Sequence, residues 1–379
     1  MDIKCGYKSI NGDYIFQKVA NEVAKYKKGG IKIPLLDLSV GDVKFPPPKK
    51  VGRAIVKQSI YFNKSAYFCG YPPECGIYEL KKRISEYYAS LGADVDSDEI
   101  FITTGAKPAL GELFEICNFS RAQIIIPTYP LYEELCRLHG VKVEFVKSQP
   151  KNAFPLPKNG GDVLFACSPN NPTGEVLTEG QTKDLARYCN EKGMLLVIDG
   201  AYADFTDRYY CPYLVENCDN VVEVRSYSKN LSFTGIRCGY VVIKKQNPIH
   251  SAYKKYLSLR SNGVNVITQR AVISSYRKKS KMQERKRIEY YRKNAEILRS
   301  AFVNSSFSVI GGENAPYLLI GNLKQNGEDF FKKLLYSLGI AVTPGEAFFA
   351  PNSVRISCLC SSNTAKRASR RLKDFVSKV

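Results

Sequence analysis

The chain has 379 residues, enough for two domains of ordinary size, and a formal charge of +20 at pH 7. Its 44% hydrophobic and 24% charged residues match globular usage and argue against disorder or a fibrous repeat. It contains two histidines, His139 and His250, so a Ser-His-Asp triad or a histidine-rich metal centre has almost no raw material.

From the amino end, Met1-Asp2-Ile3-Lys4-Cys5-Gly6-Tyr7 lacks the charged, apolar and small-residue order of a secretory signal, so no cleavable leader and a cytoplasmic location are expected. Apolar runs such as residues 194–198 fall far short of the roughly 20 residues that span a bilayer, and no membrane partner is expected. Twelve cysteines without a leader read as free thiols in a reducing compartment. Neither Cys69 with Cys75 nor Cys358 with Cys360 has the spacing of a zinc knuckle, so no metal is expected.

Between about Ile100 and Ile243 short apolar runs alternate with helical stretches, the pattern of an α/β fold built on a largely parallel sheet. The candidate strands are residues 100–103, 123–126, 163–166, 195–198, 221–224 and 240–243, most of them continuously apolar as buried strands are. Residues 46–255 would form this large domain. Residues 1–45 and 256–379 would form a smaller, discontinuous one with strands at 318–320 and 354–357. His139 reads as a helix end. The densest basic run, residues 277–287, has no interleaved aromatics and sits in a polar helical pattern, so it reads as a solvated helix face and no nucleic-acid partner is expected.

In parallel sheets ligands gather beyond the carboxyl ends of the strands. Just past those ends stand Gly105-Ala106-Lys107, Tyr129, Asn171, Asp199 with Tyr202, and Ser226-Tyr227-Ser228-Lys229. A lysine after a strand is often a solvated surface lysine. Lys229 is flanked by serines and followed by Arg237, which suits a nucleophilic amine beside a phosphate cradle. Asp199 ends an apolar run, where a carboxylate needs a cationic partner to be buried cheaply. A protonated pyridine nitrogen would supply one, and an ordinary helix N-cap is the bland alternative. Residues 168–174 form a turn-rich stretch, and Asn171 and Tyr202 could both reach a phenolic ring oxygen. Ala106 and Lys107 open a helix whose free N–H groups suit a phosphate, and Tyr129 could stack on a ring. Arg355, in an alternating strand, either snorkels to solvent or pairs bidentately with a carboxylate.

Asn171-Pro172-x-Gly174, Asp199-x-x-Tyr202, Ser226-x-Ser228-Lys229 and Arg237 resemble the fold-type-I pyridoxal-phosphate (PLP) aminotransferases. A narrower resemblance to the LL-diaminopimelate aminotransferases rests on Asp13-Tyr14-Ile15-Phe16, Gly41-Asp42, Gly70-Tyr71-x-x-Glu74-x-Gly76, Gly105-Ala106-Lys107, Asn262-Gly263, residues 311–317, Thr343-Pro344-Gly345 and Arg355-Ile356-Ser357. The resemblance implies a large domain with a mostly parallel seven-stranded sheet between helices, a smaller α+β domain, and a homodimer.

For the site, the resemblance implies that Lys229 holds PLP as a Schiff base and Asp199 pairs with the ring nitrogen, with Asn171 and Tyr202 on the ring oxygen. Ala106, Lys107, Ser226, Ser228 and Arg237 would surround the phosphate, joined by Tyr71 from the other subunit. Tyr129 would stack on the ring. Arg355 would take the substrate α-carboxylate. Tyr14, Gly41, Glu74, Lys107, Tyr129 and Asn262 would complete the pocket, Glu74 and Asn262 crossing from the partner. The implied reaction moves an amino group between an amino acid and a 2-oxo acid, with LL-diaminopimelate and 2-oxoglutarate as the pair. The same motifs would serve an aspartate, alanine or aromatic transaminase, a C–S lyase, or an enzyme of specialised metabolism. One departure stands out: the family's Gly-Asp-Thr-Thr is Gly41-Asp42-Val43-Lys44 here.

Overall fold

The computed structural model describes residues 14–30, 32–65, 70–149 and 151–377. Asp13 of the amino-terminal motif, Cys5 and Cys69 lie outside the described residues.

Alternation along the apolar runs sends neighbouring side chains to opposite faces of one sheet. Ile100 and Ile102, Leu164 and Ala166, and Leu196 and Ile198 enter one hydrophobic cluster, whereas Phe101, Val163, Phe165 and Val197 enter another. The strands involved are β2 (Ile100–Thr103), β3 (Arg121–Ile126), β4 (Lys142–Lys147), β5 (Val163–Cys167), β6 (Leu195–Asp199), β7 (Val221–Ser226) and β8 (Gly239–Ile243), after a short β1 (Leu36–Asp37). They form a seven-stranded sheet in the order β2-β8-β7-β6-β5-β3-β4. All are parallel except β8, which runs antiparallel to β2 and β7.

Strand β4 is absent from the runs read off the sequence. It sits at the sheet edge with both terminal lysines exposed, so its pattern is not the apolar block of its neighbours.

Helices cover both faces. One face takes α3 (Tyr78–Ala89), α6 (Glu179–Lys192), α7 (Cys211–Asn217) and α9 (Val266–Ile273); the other takes α4 (Ala106–Ile116), α5 (Leu131–Leu138) and α8 (His250–Arg260). His139 caps the carboxyl end of α5, as its place in the sequence suggests. Near the amino end lie α1 (Ile15–Lys28) and α2 (Lys49–Phe62).

The second core gathers α1, the carboxyl-terminal half of α10 (Lys278–Arg299), α11 (Gly327–Leu338) and α12 (Ser362–Val376) around a four-stranded antiparallel sheet. Its strands are β9 (Ser308–Gly311), β10 (Tyr317–Gly321), β12 (Thr343–Pro344) and β13 (Val354–Ser357), and β11 (Ile340–Ala341) pairs with β1. Tyr253, Leu257, Val266 and Val272 belong to the sheet's two cores, so the boundary expected near residue 255 falls inside α8. The long helix α10 runs from Lys281, which meets Asp204 beyond β6, to Leu298 in the second core. The ten cysteines among the described residues are free. No helix among the described residues is long and apolar enough to cross a membrane.

Candidate active site

Five parallel strand ends and the start of the antiparallel β8 open onto one cavity of about 440 Å³, closed on its far side by β10, β13 and the loop at 40–42. Twelve residues singled out in the sequence line it: Gly41, Ala106, Lys107, Tyr129, Asn171, Asp199, Tyr202, Ser226, Ser228, Lys229, Arg237 and Arg355.

At one end the Lys229 Nζ donates to the Gly41 carbonyl. A Cβ at Gly41 would collide with the Tyr317 hydroxyl and lie 3.4 Å from that same Nζ, so this close approach needs a glycine. Beside Lys229, Ser226 and Ser228 are buried, their hydroxyls 3.0 Å apart, and Arg237 Nη1 donates to Ser228 Oγ at 2.9 Å. Arg237 holds a positive φ of 65° and lies against Gly105, whose φ of 107° and missing Cβ leave room for the guanidinium at the start of α4. Two hydroxyls, a guanidinium and a helix amino terminus thus converge on one corner. That donor set suits a phosphate group.

Deeper in, Asp199 is 5% exposed. Its carboxylate accepts from the Tyr132 hydroxyl at 2.7 Å and the Ala201 amide at 3.0 Å, and among the described residues it has no ion-pair partner. Burial pushes its carboxyl up, opposed by those two hydrogen bonds. A cationic ring nitrogen in the cavity would offset that burial cost and draw the carboxyl down. In the same cavity the Tyr202 and Tyr317 hydroxyls share a hydrogen bond of 2.7 Å.

Arg355 is the mirror image of Asp199. It is 1% exposed and has no carboxylate partner among the described residues. Nη1 donates to Asn171 Oδ1 at 3.0 Å, Nη2 to the Ser39 carbonyl at 2.7 Å and to Thr343 Oγ1 at 3.3 Å, and Nε has no partner. Tyr317, Phe348 and Phe16 lie around the guanidinium, the Tyr317 centroid 4.3 Å away. Arg355 therefore does not snorkel to solvent.

At the mouth, the Lys107 ammonium lies 4.8 Å over the Tyr14 ring, and partial burial followed by the Arg237 charge draws it down. Burial pushes the Tyr14 and Tyr129 hydroxyls up, with Tyr129 adding to the effect on Tyr14.

Tyr71, Glu74 and Asn262 do not line this cavity. Tyr71 is 86% exposed, Glu74 and Asn262 are also exposed, and the segment at 72–73 packs against Gly263, so the three share one surface region. The replaced residues of the Gly41 loop do not line it either. Val43 packs with Tyr202, Phe205 and Tyr291, and Lys44 points outward within 3.5 Å of Asp42.

Sequence reasoning missed Tyr132, indistinguishable by pattern from core, and the Ser39 carbonyl, which no side-chain motif reports; Phe16 and Tyr317 stand in motifs of the resemblance but received no role.

The family model for class I and II aminotransferases matches residues 33–372. A curated LL-diaminopimelate aminotransferase of Agathobacter rectalis is 30% identical over 372 residues, covering 91% of this chain and 92% of the relative. The solved L,L-diaminopimelate aminotransferase of Chlamydomonas reinhardtii superposes with a TM-score of 0.91 at 26% identity, covering 99% of both chains. An aspartate aminotransferase variant of Thermus thermophilus, 23% identical, shares the fold at a TM-score of 0.87 over 99% of both chains.

Proposed function

The chain belongs to the class I and II aminotransferase family, and from that premise we propose that it is a PLP-dependent transaminase exchanging the amino group of LL-diaminopimelate with 2-oxoglutarate, as a homodimer in the cytoplasm. The observation that carries this reading is a pair of buried, uncompensated charges facing one cavity. Asp199 calls for a cation and Arg355 for an anion, with Lys229 beside them. A cofactor with a protonated ring and a substrate with an α-carboxylate meet both demands.

Bound PLP supplies an electron-accepting ring that stabilises negative charge at the amino acid's Cα. The rest is the work of the chain's own residues. Ser226, Ser228, Arg237 and the amino terminus of α4 anchor the phosphate. Asp199, oriented by Tyr132, keeps the ring nitrogen protonated. Asn171 and Tyr202 bind the ring oxygen, and Tyr129 packs on the ring. Arg355 binds the substrate carboxylate and fixes Cα within reach of Lys229, whose free Nζ takes the Cα proton.

LL-diaminopimelate carries an ammonium and a carboxylate at each end. Its distal end requires an acidic group and carboxylate donors together. Tyr14 and Lys107 from one subunit, with Glu74 and Asn262 reaching over from the other, meet that requirement, and Tyr71 joins the phosphate from the same partner. The outward Lys44 and inward Val43 leave the cavity wall to Gly41 and Asp42, which keeps the altered loop compatible with this substrate.

Incubating the purified protein with 2-oxoglutarate and a panel of amino donors tests the reading. Glutamate should form fastest from LL-diaminopimelate. Formation from aspartate, alanine or an aromatic donor but not from LL-diaminopimelate would overturn the substrate assignment. Lys229→Ala should lose borohydride-fixable cofactor, and its retention would overturn the assignment of the lysine.

A further inference from the structure

The basic run at residues 277–287 is not a uniformly solvated face. Lys281, Glu284 and Arg287 turn inward at a spacing of three on α10, while Arg277, Lys278, Lys279, Arg285 and Lys286 stay exposed. Arg287 lies where two segments of the site meet. Its Nη1 donates to the Pro46 carbonyl at 2.7 Å and to Ser232 Oγ at 3.1 Å, and its Nη2 donates to the Asn230 carbonyl at 2.8 Å. Pro46 lies just beyond the loop that carries Gly41, and Asn230 and Ser232 follow Lys229 directly. One guanidinium therefore ties together the two stretches that touch where Lys229 Nζ meets the Gly41 carbonyl.

The tie acts on backbone that its surroundings must hold. Ser232 has a φ of 62°, unfavourable for a residue with a Cβ and persistent only when neighbouring contacts over-determine it. Asn230 is gripped from the other side as well. Its Nδ2 donates to Asp204 Oδ2 at 3.0 Å, and Asp204 also takes Arg225 at 3.3 Å and Lys281 at 3.4 Å. Arg287 itself does not line the cavity, so it acts through Lys229 and the Gly41 loop rather than on a ligand.

We propose that Arg287 is a positioning residue that sets where Lys229 Nζ lies, by clamping the Lys229 segment to the Gly41 loop; its catalytic consequence rests on Lys229 being the reactive amine of the proposed function. A lysine at 287 replaces the rigid two-nitrogen fork by a single nitrogen on a flexible stem, and a glutamine brings one shorter, uncharged donor group.

The test compares the parent with Arg287→Gln, Arg287→Lys and the exposed-face control Arg285→Gln. In the full-length chain without cofactor, acetic anhydride acylation of Lys229 is followed by mass spectrometry, relative to the exposed Lys192. The Lys229/Lys192 ratio should change at least about three-fold in Arg287→Gln, less in Arg287→Lys, and not in Arg285→Gln. In the loaded enzyme kcat should fall on the order of ten-fold in Arg287→Gln with the donor KM within about two-fold, because Arg355 is untouched. A lower melting temperature with an unchanged acylation ratio and kcat would make the residue merely structural and overturn the proposal. Should Arg287→Gln not fold, the same two readouts on Arg287→Lys decide it. Failure of the parent to fix cofactor at Lys229 would sink the functional reading, while the acylation ratio would still decide the positioning role.

Discussion

Replacing Glu284 by glutamine should flatten the dependence of stability on pH. Glu284 is 3% exposed, one carboxylate oxygen accepts from Lys281 at 3.0 Å, and the other has no partner. Burial outweighs the pull of Lys281 and pushes the carboxyl from 4.5 up to about 7. The folded protein therefore holds this proton more tightly than the unfolded chain does. The stabilisation is full below the unfolded value and is lost as the pH rises through about 7. Between pH 5 and pH 8 a shift of that size removes roughly 2–3 kcal/mol. Lys281 keeps Asp204 as a partner at both pH values, since Lys281 and Arg225 hold the Asp204 carboxyl below its usual range despite burial. The Lys281 pairing needs the ionised Glu284 carboxylate, so it acts at pH 8 and not at pH 5, and its pull is already contained in the value of about 7. Urea denaturation of parent and Glu284→Gln at pH 5 and pH 8, at fixed cofactor concentration, gives the double difference. The parent should lose roughly 2–3 kcal/mol more than the variant over that interval. Equal losses would refute the claim that this carboxyl titrates near neutrality.

Arg355→Gln should lower kcat/KM for the amino donor by about 10²–10³, the usual result of removing one partner of a buried charge pair, with the cofactor's absorbance unchanged. Steady-state kinetics and a spectrum of the loaded variant check both halves. Gly105→Ala puts a Cβ against the Arg237 guanidinium at a φ of 107°, so cofactor affinity measured by equilibrium dialysis should fall at least about ten-fold. Tyr132→Phe leaves Asp199 with the Ala201 amide as its remaining hydrogen-bond donor, and the loss of a bond to a charged group, about 1.5–3 kcal/mol, should reduce kcat on the order of ten-fold or more with cofactor retained.

The sheet was legible in the sequence because its strands are buried on both faces and read as unbroken apolar runs. The edge strand β4 was not, since one side of it meets water. The polar half of the site followed from the same reading, because the parallel strands place their carboxyl ends on one side. Tyr132, Phe16 and Tyr317 received no role from it. Tyr132 is buried on α5 with the spacing of any core residue, and only its hydroxyl, 2.7 Å from Asp199, sets it apart. The basic run misled for a related reason. Of its charged residues most are exposed, but composition cannot tell that Lys281, Glu284 and Arg287 sit on the turn of α10 that faces Asp204 and the Lys229 segment.

Asp199 and Arg355 have opposite charges at one cavity, yet they do not pair with each other. Asn171 occupies the Arg355 Nη1, and Tyr132 and the Ala201 amide occupy the Asp199 carboxylate. Bringing the two charges together would have made the apoprotein more self-sufficient and left no electrostatic reason to bind a ligand. Held apart, each is penalised by burial and would be relieved by a different chemical group, the one by a ring cation and the other by a carboxylate. Selectivity follows from that division. A ligand lacking either charge leaves one buried group uncompensated, which is why a neutral amine or a neutral ring should be rejected more strongly than any change in side-chain size.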